Sequence, residues 1–233
     1  MCIRDRVGAI DAARATALLR KAFGALPAKG ALAPVADAVL ANAGSLRIED
    51  IDLPQSTIRF GAAGIARRDP DFEAATLVNH VLGGGVFSAR LFKEVREKRG
   101  LAYSVHAGLQ TQDHAALFAG ATSTRNERAA ESLAVIEEQI ALMAQDGPTA
   151  DELARAKSYL TGSYALRFDT STRIAGQLVQ LQLEGFEPGY LDERNARLEA
   201  VTLDEARRVA RRLFGQGRLL VTIAGRPQGV APR

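Results

Sequence analysis

Tryptophan is absent from these 233 residues, cysteine occurs once and methionine twice, and aromatic side chains make up only 6% of the chain. One cysteine, Cys2, can build neither a disulfide framework nor a thiolate metal cluster. No apolar run approaches the roughly 18 residues that a membrane helix requires, so no membrane span is expected. Charge of one sign is also missing: 30 Lys and Arg face 27 Asp and Glu, for a formal +3. The basic residues are scattered beside acidic ones and are not interleaved with aromatics, which argues against a nucleic-acid partner. The opening MCIRDR is short and charged with no apolar stretch, so it is no secretory signal and reads as a non-native leader over 1–6. Against these absences stands a content of 47% apolar residues, enough for a substantial core in a chain of this length.

The punctuation of the chain gives its organisation. Val7 to Ile10 reads as the end of a strand running into Asp11 as a helix N-cap, with Ala15, Leu18, Leu19 and Phe23 on the apolar side of the helix that follows. A chain that starts at a strand's end suggests that 1–26 is the tail of a truncated earlier domain, followed by an Ala/Pro/Gly-rich linker over 27–44 and a main domain over 45–233. Two strand-like pieces break at Leu53 and Pro54, and Asp69 with Pro70 reads as the start of a helix ending at Gly83. A second helix is expected over about 87–98, with i,i+4 charge pairs at Arg90/Glu94 and Lys93/Glu97. A hairpin follows, with QTQDH as its turn, and then three capping boxes at Thr124/Glu127, Thr149/Glu152 and Thr202/Glu205. LLVTIA closes the chain as a buried strand. The order predicts an α+β fold in which helices cover one face of an antiparallel sheet.

Only one segment points to chemistry. In LGGGVFSARLFKEVREKRGLAYSV, Arg96 precedes Tyr103 by seven positions with Gly100 between them. A helix that stops at Gly100 and turns directly into a strand can bring a guanidinium and a phenol to the same rim, where both can donate to a carbonyl oxygen. Two blander readings compete: Arg96 as one more solvated charge in a run with Arg90, Lys93, Glu94, Glu97, Lys98 and Arg99, and Tyr103 as a strand residue packing its ring on the sheet. Gly83, Gly84 and Gly85 lack the Lys-Ser/Thr ending of a phosphate loop, and read as a helix connection or as a loop touching peptide substrate. His80, His106 and His114 show no metal-ligand spacing, and Ser104 with His106 lacks a third triad member and a nucleophile elbow.

That same segment resembles the second-half segment of the pitrilysin/insulinase family of zinc peptidases, which includes the mitochondrial processing peptidases and the core subunits of the respiratory cytochrome bc complex. VGAIDAARATALLRKAFGALP resembles the end of that family's first domain, and RFDTSTRIAGQLV, RNARLEAVTLDEARRVARRLF and LLVTIAGRP resemble later landmarks of the second. The resemblance implies a pitrilysin-type domain that pairs with a zinc-bearing half, in the same chain or another subunit, as a dimer enclosing a peptide substrate. It implies that Arg96 and Tyr103 contact the substrate near the scissile bond and stabilise the oxyanion. Zinc is expected in the other half, because H-x-x-E-H does not occur here, so no cofactor is expected in this chain and the chain alone is expected to be inactive. A fragment of a zinc peptidase, a zinc-free partner subunit, a structural core-protein-like subunit and a peptide-binding domain using its sheet edge all remain open. The bacterial periplasm is the compartment the resemblance suggests.

Overall fold

A computed structural model describes residues 7–27, 29–30 and 33–233; the segment read as a leader lies outside them. The chain divides into two compact units, residues 1–36 with 160–195, and residues 37–159 with 196–233. In the first, α1 (Ala12–Phe23) is capped by Asp11, whose carboxylate accepts from the Arg14 N–H at 2.8 Å. Among the described residues no strand end precedes it: residues 7–10 are irregular, with Gly8 at a φ of 127°. A short 3-10 helix at Tyr164–Phe168 leads to α5 (Ser171–Leu183), and the Arg194 guanidinium lies 4.0 Å over the Tyr164 ring.

The second unit holds a five-stranded sheet in the order β1-β5-β2-β4-β3, formed by β1 (Leu46–Asp50), β2 (Gln55–Ala63), β3 (Ala102–Gln112), β4 (Ala115–Arg125) and β5 (Leu220–Gly225). The ladders are antiparallel except for β1 on β5, which is parallel because the last strand enters between the first two. Period-two alternation sorts the side chains. Ile58 pairs with Thr122 and Ile223, and Phe60 pairs with Gly120 and Val221; all of these are buried on one face. A Cβ on Gly120 would lie 2.2 Å from the Phe60 ring, so only glycine lets that ring lie across β4.

Helices cover this face. α2 (Phe72–Asn79), α3 (Ala129–Asp146) and α7 (Leu203–Phe214) pack together, and Phe214 meets Phe118 of β4 edge-on at 4.8 Å. The other face carries Thr57, Arg59, Ala121, Ser123, His106, Thr222 and Ala224 on its strands, and none of these is buried. This is the α+β architecture expected, with the parallel edge pair as an addition.

Several local expectations resolve differently. α2 does not stop at Gly83: a wide π turn, His80–Gly84, continues it through the first two glycines. The next helix begins at Arg90, because Ala89 is extended with a ψ of 145°, and Phe92–Lys98 winds as a π-helix. Thr124 caps nothing. It lies inside β4, donates to the Leu101 carbonyl at 2.7 Å, and α3 starts only at Ala129. Asp69 also fails to cap α2 directly; it accepts from the Asp71 N–H at 2.9 Å, and Arg212 holds its carboxylate at 2.6 and 2.8 Å. The Thr149/Glu152 and Thr202/Glu205 boxes are both reciprocal, with each threonine N–H donating to its glutamate at 2.8 Å.

Candidate functional site

The π-helix Phe92–Lys98 ends where Gly100 takes a φ of 58° and its N–H reaches the Arg96 carbonyl at 3.0 Å. A residue with a Cβ would be strained there, so glycine makes the abrupt turn from helix into β3 possible. Two residues later the β3–β4 ladder carries a bulge. Ala102 pairs with Thr124 and Val105 with Thr122, so Tyr103 and Ser104 together oppose Ser123 alone. The extra residue turns both side chains outward toward the open face, leaving Tyr103 81% exposed. Two threonine hydroxyls of β4 pin the backbone on either side, Thr122 Oγ1 on the Ser104 carbonyl at 2.8 Å and Thr124 Oγ1 on that of Leu101.

The corner brings the two residues singled out by their spacing into contact. The Arg96 guanidinium sits 4.5 Å over the Tyr103 ring and 4.9 Å over that of Phe92, so it is held between two aromatic faces. At an exposed site such a contact contributes about 0.5–1 kcal/mol, less than is needed to hold long side chains rigidly but enough to set their mean orientation. Among the described residues Arg96 makes no ion pair. Glu94, two residues before it, is taken by Lys98 at 2.6 Å and by Arg99, and those two cations pull its carboxyl below the usual range. The Arg96 N–H groups and the Tyr103 hydroxyl therefore remain available at one rim. Phe92 was not picked out by sequence reasoning, although its position four residues before Arg96 on a helix was the available signal.

A clamp positions the helical segment. Arg90 does not pair with Glu94; it reaches Glu152 through Nε at 2.8 Å and Nη2 at 2.6 Å, and donates from Nη2 to the Gly147 carbonyl at 2.9 Å. Burial alone would raise the Glu152 carboxyl, yet Arg90 and the Thr149 N–H and hydroxyl together hold it at about 2. The preference has a plain cause: a half-buried bidentate partner outcompetes a solvated one four residues along the helix.

Close approach explains why two of the three glycines lack a side chain. A Cβ on Gly83 would stand 2.8 Å from the Ala107 Cβ, so its bareness lets this turn close against β3, and one on Gly85 would meet the His80 carbonyl of its own turn at 2.8 Å. Beyond them Val86 and Phe87 form an exposed tip, with Phe87 edge-on to Phe92 at 5.2 Å.

The histidines occupy three separate environments. His80 is buried and stacks on Tyr159 at 5.0 Å, and desolvation lowers its pKa; His114 meets Asp37 at 3.0 Å; His106 lies exposed on β3. Among the described residues no three His, Cys, Asp or Glu side chains converge, so they do not fit a zinc ion. No described helix is long and apolar enough to cross a membrane.

The model of the peptidase M16 inactive domain matches residues 7–160. An uncharacterized zinc protease of Streptomyces coelicolor is 34% identical over 215 residues, which is 90% of this chain and 47% of the relative. A non-peptidase homolog from Helicobacter pylori is 32% identical over 120 residues, 51% of this chain and 28% of the relative. The crystal structure of a peptidase M16 inactive domain from Pseudomonas fluorescens superimposes with a TM-score of 0.84 at 29% identity, covering 96% of this chain and 52% of that one. The chain thus spans about half the length of the relatives it matches.

Proposed function

This chain belongs to the family of the peptidase M16 inactive domain, and from that premise we propose that it holds an extended peptide and stabilises the oxyanion formed when the peptide bond is attacked. Arg96 and Tyr103 are the residues assigned to this role. The observation that carries the reading is the pair itself: a guanidinium without a carboxylate partner, stacked 4.5 Å over a ring that a β-bulge turns outward. Two donors whose mean orientation is set side by side suit an oxygen that gains negative charge in the transition state, because less reorganisation is needed as that charge develops. Arg90 and Glu152 act as positioning residues that hold the helix carrying Arg96.

In this proposal the chain supplies donors and no metal, and the zinc named in its relatives belongs to a pairing half in the same protein or in a separate subunit. Closure of the two halves as a dimer around the peptide, a substrate contact at Gly83 to Gly85, and action in the periplasm are further parts of the proposal.

The test uses the chain joined to its zinc-bearing half. Arg96→Ala and Tyr103→Phe are each expected to lower kcat/KM by about a hundredfold, the usual cost of one oxyanion donor. Wild-type turnover in both variants would sink the assignment. A second reading, a domain that keeps the fold without catalysis, draws support from the non-peptidase homolog of H. pylori. It predicts that no pairing half yields peptide hydrolysis with the wild-type chain.

A further inference from the structure

The open face of the sheet has its own chemistry, centred on Arg59. Arg59 lies on β2, the middle strand of five, and is exposed. Its direct cross-strand partners are Ala121 on β4 and Thr222 on β5. Its neighbours two residues away on the same face are Thr57 and Gly61 on its own strand, Ser123 and Ala119 on β4, and Ala224 and Leu220 on β5. None of these is acidic. Opposite charges set across from one another stabilise a sheet, and a cation in the middle of a sheet with only neutral neighbours lacks that compensation. The acidic strand residue of this face, Glu49 on β1, is ion-paired with Arg47. Among the described residues Arg59 forms neither an ion pair nor a side-chain hydrogen bond.

Register places Arg59 relative to the candidate site. Tyr103 and Ser104 oppose Ser123, Ser123 pairs with Thr57, and Arg59 is two residues beyond Thr57. Two interstrand steps of about 4.8 Å and two residues of about 3.4 Å set the two positions about 12 Å apart. An extended peptide covers that span in three to four residues at about 3.3 Å each. The floor between them is made of Ala121, Ser123 and Thr57, small enough for a backbone to lie close.

Building on the peptide-holding role of Arg96 and Tyr103, we infer that Arg59 is a specificity-determining contact that takes a carboxylate three to four residues from the bond those two residues hold. A guanidinium suits that task because its planar fork can hold both carboxylate oxygens at once. The substrates selected are extended peptides with an acidic side chain, or their own C-terminal carboxylate, at that distance.

Fluorescence anisotropy on the 233-residue chain tests this with labelled ten-residue peptides of one uncharged frame. One set is amidated and carries a single Glu at successive positions, its control has Gln in its place, and a third is the Gln peptide with a free C-terminus. At low salt the wild-type chain is expected to bind the best Glu peptide, the free-acid peptide or both about tenfold more tightly than the amidated Gln control, and to lose most of that preference in high salt. The two arms tell a side-chain carboxylate from a terminal one. Arg59→Gln should bring the favoured peptide to the affinity of the control without weakening the control, and Arg59→Lys should keep part of the preference. Arg96→Ala should weaken all peptides by a common factor. Equal binding of all three classes by the wild-type chain, or a preference that survives in Arg59→Gln, overturns the role of Arg59 while peptide binding itself stands. Failure to bind any peptide overturns both.

Discussion

Val86 has a φ of 41°, the left-handed region that a β-branched side chain avoids. A non-glycine residue held there costs on the order of 1–3 kcal/mol, so the packing of α2 and of the Phe87/Phe92 contact on either side must impose it. Val86→Gly is therefore expected to stabilise the chain by about 1 kcal/mol after the loss of chain entropy that glycine brings is subtracted. A rise in the midpoint of urea unfolding would show it, and an unchanged or lower midpoint would show that the conformation is not strained. Nothing in the sequence marks this position; three glycines stand just before it, and the strain falls on the residue after them. Arg96 and Tyr103 were legible for the opposite reason, since a glycine stop fixes the direction in which the chain leaves the helix. Arg59 was visible only as a polar member of an alternating strand, because its lack of a partner depends on residues far away along the chain.

At the scale of elements, the capping box that opens α4 (Ala150–Gly162) also anchors the helical segment of the candidate site. The Glu152 carboxyl sits at about 2 in the folded chain against an ordinary 4.5. A carboxyl depressed by folding contributes stability that is complete above its unfolded value and is lost as pH falls from about 4.5 toward 2. With its side chain 21% exposed, the contribution at neutral pH is about 3 kcal/mol at most. Glu152→Gln should therefore lower stability at pH 7 by about 2 kcal/mol and flatten the fall between pH 4.5 and 2. Part of that fall should persist, because hydrogen bonding to Arg208 and Arg212 holds Asp71 at about 2 as well. A variant with the wild-type pH profile would rule out the clamp. This box and the one at Thr202 were readable because both partners lie within four residues. The similar pattern at Thr124 misled, since the pairing of β4 with β2 continues through Arg125 and claims the residue for the sheet.

For the molecule as a whole, the separation of the histidines has a direct consequence. Purified with zinc present and then dialysed, the chain is expected to retain far less than one zinc per molecule by atomic emission. Equimolar zinc removable by a chelator would contradict the dispersed placement of His80, His106 and His114. The sheet, covered by helices on one side, leaves Arg59 among neutral residues on its other side, and in the proposed assembly that side meets the peptide. Its shape came from an insertion that pattern reading did not reach: β5, the last strand, lies between β1 and β2 and makes one parallel pair in an otherwise antiparallel sheet.

The sequence alone determined the α+β class, most of the element order, two of three capping boxes and the helix-to-strand corner that carries Arg96 and Tyr103. Each of these depends on neighbours a few residues apart, whose spacing in the chain is nearly their spacing in space. Tertiary structure alone decided the sheet order, the outward aim of the bulge, the Arg90–Glu152 clamp across 62 positions and the isolation of Arg59. Such contacts follow from which distant surfaces fit together, and periodicity along a chain carries no record of that choice.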